Sequence, residues 1–346
     1  MDFGGGDEIR FERAGALGIV TLTRPKALNA LTHRMVKALA LALSEWEADP
    51  NVATVVLKAE GRAFCAGGDI MDVYRARQTG APAFQFFADE YRLNAHISRF
   101  SKPYVSLIDG IVMGGGVGIS CHGSHRVMTE NAQFAMPEVG IGFFPDVGGS
   151  HLLPDLGESF GMYLGLTGAR IRYGDALWSG IATHTTKAEL LPGLLERMAA
   201  MDEPEAALRE VFSPARRETE PEVLRAIGRH FSKPTLSAVM ESLRRSATDG
   251  DAFAEQTLAT VATKSPTSLA VTFQSITRGS RRSMDDCMRM EYRILRRMLD
   301  GHDLYEGIRC ALVDKGDKPR WRPDSLDDVS DADVEAHFAP LDEGEL

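Results

Sequence analysis

Two carboxylates and two glycine clusters are the residues of this chain whose types and spacing could do chemistry. Glu138 and Asp146 lie in Met136-Pro137-Glu138-Val139-Gly140-Ile141-Gly142-Phe143-Phe144-Pro145-Asp146-Val147-Gly148-Gly149, each directly after a proline, with an apolar stretch between them. Carboxyls in apolar surroundings lose hydration and hold their protons more tightly. That suits acid–base work near neutrality. The structural alternative has Glu138 capping a turn and Asp146 serving as N-cap of a following helix, and Asp146 could fill both roles. Glycines cluster at Gly67-Gly68, within Ala63–Ile70, and at Gly114-Gly115-Gly116, within Asp109–Gly118. Each cluster falls where a strand gives way to a helix. Glycine lets the backbone take positive φ and lets a ligand approach closely. The N–H groups at a helix start lack internal partners, and two that converge could hold a carbonyl oxygen and stabilise an oxyanion. A phosphate cradle or simple tight packing would leave the same pattern. No GxxxxGK[ST] element accompanies the glycines, so a nucleotide-triphosphate loop is not expected.

The elements that must position these residues are legible from periodicity. Ile9–Glu12 and Leu17–Leu22 read as strands around a glycine-containing turn, after a floppy tail over residues 1–7. Thr32 reads as the N-cap of a helix through Trp46. Val52–Ala59 and Tyr104–Ile108 read as buried strands, Ala83–Arg99 as a helix, and Val127 and Phe134 as markers of two more short strands. From about Gly148 helical patterns dominate. Residues 203–222, rich in Pro, Glu and Arg, read as a surface connection, with helices again over 223–300 and an acidic tail after Trp321 and Pro323. Strand–helix alternation followed by helices predicts an α/β core with a helical C-terminal part. The division expected is 1–200 for the core and 201–346 for the mainly helical region.

Several conspicuous residues carry structural expectations. Cys65 adjoins the first glycine turn but has no obvious histidine partner, so a buried thiol is expected rather than a nucleophile. His122, His125 and His151 read as packing or surface residues, and Met288, Met290 and Met298 as core. Arg24, Lys26 and the cluster Arg278, Arg281 and Arg282 are either solvated charge or contacts to ligand phosphates.

Bulk properties narrow the class. The 346 residues carry 39 basic and 49 acidic side chains, a formal net charge of -10, which disfavours attraction to nucleic acid or to an anionic membrane. Four cysteines are widely spaced with no CxxC pair, so no zinc site or disulfide framework is expected. A reducing compartment follows: the cytoplasm, or the mitochondrial matrix for a processed eukaryotic chain. The acidic N-terminal residues are neither a secretory signal nor an Arg-rich transit peptide. No His/Cys/carboxylate group has metal-ligand spacing, so no metal and no separate cofactor are expected.

In order along the chain, AFCAGGD at 63–69, DGIVMGGGVG at 109–118 and PEVGIGFFPD at 137–146 resemble the crotonase (enoyl-CoA hydratase/isomerase) superfamily. PEVGIGFFPDVGGSHLLPDL, FFADEYRLN at 86–94, SPTSL at 265–269, MEYRIL at 290–295 and EGIRCALVDK at 306–315 resemble its 3-hydroxyisobutyryl-CoA hydrolase branch, so the likeness covers nearly the whole chain. The resemblance implies a spiral of ββα turns with a helical C-terminal region. It implies an acyl-CoA substrate whose thioester oxygen is gripped by the N–H groups of Gly68 and Gly115, with Ala66 at the position whose backbone meets the CoA adenine and Glu90 near the substrate. It assigns the catalytic carboxylates to Glu138 and Asp146. Hydratases of the superfamily carry a catalytic Glu in GGGxE; here that position is Gly118, so water addition by the two-Glu route is disfavoured. The activity implied is hydrolysis of a short 3-hydroxyacyl-CoA, foremost 3-hydroxyisobutyryl-CoA of valine catabolism. The alternatives are an enoyl-CoA hydratase or isomerase, and a non-catalytic CoA-binding protein on the same fold. A homo-oligomer, trimer or hexamer, is also implied, with a monomer left open because the C-terminal helices vary in this branch.

Overall fold

A computed structural model of the chain describes every residue except 81, 158, 201–203 and 343. Contacts group the residues into two units, each discontinuous in sequence. The first comprises Met1–Asp69, Asp89–Phe134 and Ile171–Glu218; the second comprises Ile70–Ala88, Ala135–Arg170 and Thr219–Leu346. The division expected at residue 200 follows the change from strands to helices along the sequence. The contacts follow a different partition, because 70–88 and 135–170 group with the later helices.

The first unit holds the sheets. Its strands are β1 (Ile9–Ala14), β2 (Leu17–Leu22), β3 (Thr54–Ala59), β4 (Ala63–Cys65), β5 (Tyr104–Ile108), β6 (Ile111–Met113), β7 (His125–Thr129), β8 (Gln133–Ala135), β9 (Ile171–Arg172) and β10 (His184–Thr186). Six form one sheet in the order β1-β2-β3-β5-β7-β10, and four form another in the order β4-β6-β8-β9. The β1–β2 pair is antiparallel, and the sheet runs parallel from β2 to β10. Successive strands thus alternate between sheets: β3 then β4, β5 then β6, β7 then β8. That alternation is the ββα spiral that the sequence motifs imply.

Edge and centre of the large sheet differ as their sequences do. On β1, Ile9 and Phe11 are buried while Arg10 and Glu12 are exposed, the alternation of a strand with one solvated face. All five residues of β5 are buried, as a parallel strand covered on both faces requires. Leu17, Val56, Val105, Leu107 and Val127 form one core cluster with Leu194 and Met198 of helix Leu191–Ala200 and Leu208 of helix Pro204–Val211. The second of these helices lies in the stretch read from sequence as a surface connection. It forms because Pro204 opens it and Ala207, Leu208 and Val211 share one buried face. The tail is also ordered against expectation: Phe3 is buried, edge-on to Phe11 and Trp46 at 4.9 and 5.8 Å between ring centroids. Helix His33–Ala48 starts as expected, with Thr32 Oγ1 accepting from Met35 N at 3.2 Å, a cap worth about 1 kcal/mol.

The second unit is mainly helical. Helix Met284–Asp300 buries Met284, Cys287, Met288, Glu291, Ile294, Leu295 and Met298, a three-and-four spacing along one face. Glu291 is the single charged residue in that stripe. The acidic tail contains a further helix, Asp331–Phe338, that buries Val334 and Phe338.

Candidate active site

In the first unit the two glycine turns meet. Leu31 donates to the Gly67 carbonyl at 2.8 Å and accepts from Asp69 N at 2.8 Å, so Gly68, between them, turns its own N–H away from Leu31. Gly115 is the first residue of helix Gly115–Ser120, where an N–H has no intrahelical acceptor. A Cβ on Gly115 would sit 3.3 Å from the Gly68 nitrogen and would overlap the Glu90 carboxyl. A side chain there would have to displace the Glu90 carboxyl. Among the described residues, no hydrogen bond engages the N–H of Gly68 or of Gly115. The first unit therefore brings Gly68, Gly115 and Glu90 together, with Glu90 only 1% exposed. Ala66 stands two residues before Gly68 on the same turn, partly exposed, its N–H donating to the Leu28 carbonyl at 3.0 Å. Gly118 is buried inside the short helix and offers no side chain for proton transfer.

Most of the other residues singled out from sequence are engaged within the chain. Cys65 is buried, with Sγ 3.7 Å from the Gly67 carbonyl, and burial pushes its thiol up to about 12. It stays protonated at neutral pH, as expected of an inert thiol. Arg24 donates to Asp69 Oδ2 at 3.0 Å and lies 3.7 Å from Glu8. His125 is 3.3 Å from Glu205 and stacks on His184. In the second unit Arg278 pairs with Glu335 and lies over the Phe338 ring. Lys26, Arg281 and Arg282 are exposed, and Met288, Met290 and Met298 are core.

In the second unit, Glu138 opens a 3-10 turn, Glu138–Ile141, that closes on Gly142 at φ 71°. A Cβ on Gly142 would overlap the Asp303 carbonyl, so glycine is required by both the turn and the close approach. Ser265 N donates to the Val139 carbonyl at 3.2 Å and ties the turn to helix Pro266–Gly279. Glu138 is 6% exposed, and its Oε2 has no hydrogen-bond partner among the described residues. Burial raises its proton affinity well above the ordinary carboxyl range and the charge of Asp146 raises it further, while its own backbone N–H lowers it by more than Glu291 adds. A half-buried lysine, Lys264, stands with Nζ 3.6 Å from where a Gly140 Cβ would be, its ammonium proton loosened by burial.

Asp146 is 4% exposed. The helix after it begins at Gly149, and the N-cap position belongs to Gly148 at φ 88°, not to Asp146. The cap reading of Asp146 is therefore corrected: the chain needs Val147 and Gly148, both left-handed, to turn into the helix, which places Asp146 outside it. A β-branched residue at φ 51° costs about 1–3 kcal/mol and persists only where its surroundings enforce it.

Glu291 was missed from sequence. Its carboxylate accepts from Gly148 N at 2.8 Å, Ser150 N at 2.9 Å and Ser150 Oγ at 2.5 Å. Burial pushes it up to about 8, opposed by the bonds from Ser150 and Gly148 and assisted by the charge of Asp146. The available signal was its place in a stripe of apolar positions. Three buried carboxyls within electrostatic range cannot all ionise near neutrality, so the cluster keeps a proton for exchange. Among the described residues, no group of three His, Cys, Asp or Glu is placed to hold a metal ion.

The profile of the enoyl-CoA hydratase/isomerase family matches residues 17–338. A curated protein of Danio rerio named 3-hydroxyisobutyryl-CoA hydrolase, mitochondrial, is 42% identical, over 99% of this chain and 92% of that protein. Among solved structures, one described as a carnitinyl-CoA dehydratase from Mycobacterium thermoresistibile superposes with a TM-score of 0.90 at 42% identity, covering 97% of this chain and 98% of that one. Another, described as an enoyl-CoA hydratase from Rhodobacter sphaeroides, superposes with a TM-score of 0.88 at 38% identity, covering 96% and 98%.

Proposed function

The chain belongs to the enoyl-CoA hydratase/isomerase family, and from that premise we propose that it hydrolyses a short 3-hydroxyacyl-CoA, foremost 3-hydroxyisobutyryl-CoA, to the free 3-hydroxy acid and CoA. The observation that carries the reading is the set of side chains retained and lost. Glu138 and Asp146 stand buried within electrostatic range of each other, while position 118 is a glycine that can neither give nor take a proton.

The reaction adds water across the thioester carbon–sulfur bond. The N–H groups of Gly68 and Gly115 are assigned to the carbonyl oxygen, which gains negative charge as the tetrahedral intermediate forms. Glu138 is assigned to the nucleophile. Either it takes a proton from water as the water oxygen bonds the carbonyl carbon, or its own oxygen bonds that carbon and water then opens the mixed anhydride. In both routes the C–S bond breaks and the sulfur leaves as thiolate, to be protonated. Asp146 is assigned to the substrate 3-hydroxyl or to that protonation. Glu90 and Ala66 are assigned to substrate contact.

A second reading, hydration or dehydration of an acyl-CoA, is favoured by the descriptions of the two solved structures. Gly118 weighs against it, since the two-Glu route needs a second carboxylate at that position. No described helix is long and apolar enough to cross a membrane; the proposed location is the cytoplasm or the mitochondrial matrix, the name of the Danio rerio relative giving only mitochondrial. The test is release of free thiol across a panel of short 3-hydroxyacyl-CoAs. The reading expects the highest kcat/KM for 3-hydroxyisobutyryl-CoA, and a panel with CoA binding but no thiol release overturns it.

A further inference from the structure

Among the described residues, every hydrogen bond that the Glu291 carboxylate accepts comes from one turn. Gly148 N reaches Oε2, and Ser150 N and Oγ both reach Oε1. That turn carries Asp146 at its start and includes Val147, a β-branched residue in the left-handed region. Such a backbone relaxes unless something outside the turn holds it. Glu291 is able to hold it. The residue is fully buried on a long helix, fixed within a stripe of packed side chains, and its two oxygens take the donors immediately after Val147. An uncompensated carboxyl at an otherwise apolar stripe position is costly, so a leucine or methionine would serve packing better.

We propose that Glu291 is a positioning residue for the hydrolytic reaction: it clamps the turn 146–150 from the neighbouring helix and so fixes the direction in which Asp146 presents its carboxyl. This rests on the hydrolase reading of the same site. The clamp also fixes where Asp146 stands relative to Glu138, whose proton the charge of Asp146 helps to hold. Cys287, one turn before Glu291, is raised to about 11 by burial, with the charge of Glu291 among the lesser causes. Arg282 and Asp286 act on Cys287 with opposite signs.

The test uses the full chain with Glu291→Gln and, separately, Ser150→Ala, each assayed on every acyl-CoA that the wild type cleaves. Glu291→Gln is expected to lower kcat by about 10- to 100-fold, the cost of a displaced catalytic group, with KM little changed. It is also expected to move the acid limb of the pH–rate profile, because a released turn shifts Asp146, the charged neighbour that most raises Glu138. Ser150→Ala, which keeps the carboxylate and removes one donor, is expected to lower kcat by a smaller factor. A folded Glu291→Gln protein with wild-type kcat and profile overturns the proposal, as does one that only melts earlier. If Glu291→Gln does not fold, an unchanged kcat in Ser150→Ala overturns it. A crystal structure of either variant separates this inference from the hydrolase reading. With no thiol release from any substrate the reading fails, yet the clamp stands if Val147 leaves the left-handed region and Asp146 shifts, and falls if the turn is unmoved.

Discussion

The glycine amides of the first unit and the carboxyls of the second hold charge by opposite means. In the proposed assignment Gly68 and Gly115 act through the backbone: a β-bridge and a helix start direct their N–H groups, which carry no titratable proton. Glu138, Asp146 and Glu291 are buried side chains, and burial with mutual repulsion raises the proton affinity of Glu138 and Glu291. The comparison teaches what each region tolerates. On the proposed assignment the amide region should respond chiefly to added bulk, and the carboxyl region to charge and to the turn that carries it.

Substitutions can break or sharpen that contrast. Glu138→Gln, which keeps the size and removes the proton exchange, is expected to cost about 10²–10⁴-fold in kcat in a folded protein, read by thiol release and circular dichroism. Gly115→Ala puts a Cβ onto the Glu90 carboxyl and 3.3 Å from Gly68 N. Its expected cost is about 10²–10³-fold in kcat, the scale of a lost oxyanion donor, with a pH–rate profile of unchanged shape. A moved profile would show that the amide region is not independent of charge. Asp146→Asn is expected to cost about 10²-fold, at the low end for a proton-transfer group, and to shift the acid limb to lower pH as Glu138 loses a negative neighbour.

Stability should show the contrast as well. Glu138 and Glu291 have folded proton affinities raised above the unfolded carboxyl value of 4.5, the latter to about 8. Their contribution is complete below the unfolded value and is lost as pH rises through the folded one. Tm measured from pH 5 to pH 8 is therefore expected to fall, and a flat or rising Tm would contradict the buried-proton account. Glu47 and Glu306 act oppositely, held down to about 2 by His96 and Arg309, and their contribution disappears only as pH drops below 4.5. The smallest effect belongs to Cys65→Ala, expected to lose about 1 kcal/mol of stability for the removed buried sulfur at unchanged kcat; a large loss of rate would revive Cys65 as a nucleophile.

What the sequence disclosed follows from locality. The strands of the large sheet, the Thr32 cap and the glycine turns rest on residues within a few positions of one another. The carboxyl pair at 138 and 146 was legible for the same reason, because prolines and apolar residues adjacent in sequence announce a buried turn. The missed features rest on distant partners. Phe3 is ordered by Phe11 and Trp46. Helix Pro204–Val211 hides four buried positions among Glu and Arg, and shows as core only once β5 and β7 are in place. Glu291 meets Gly148 and Ser150 across more than a hundred residues of chain. Nor does position 146 reveal that Val147, in the left-handed region, leaves Asp146 outside the helix it was expected to cap.

The most direct measurement offers wild-type protein 3-hydroxyisobutyryl-CoA and crotonyl-CoA in parallel, following free thiol and loss of the enoyl absorbance. With Glu138 and Asp146 retained and a glycine at 118, thiol should appear from the first substrate while the enoyl band of the second persists. Hydration of crotonyl-CoA with no thiol from 3-hydroxyisobutyryl-CoA would contradict the account.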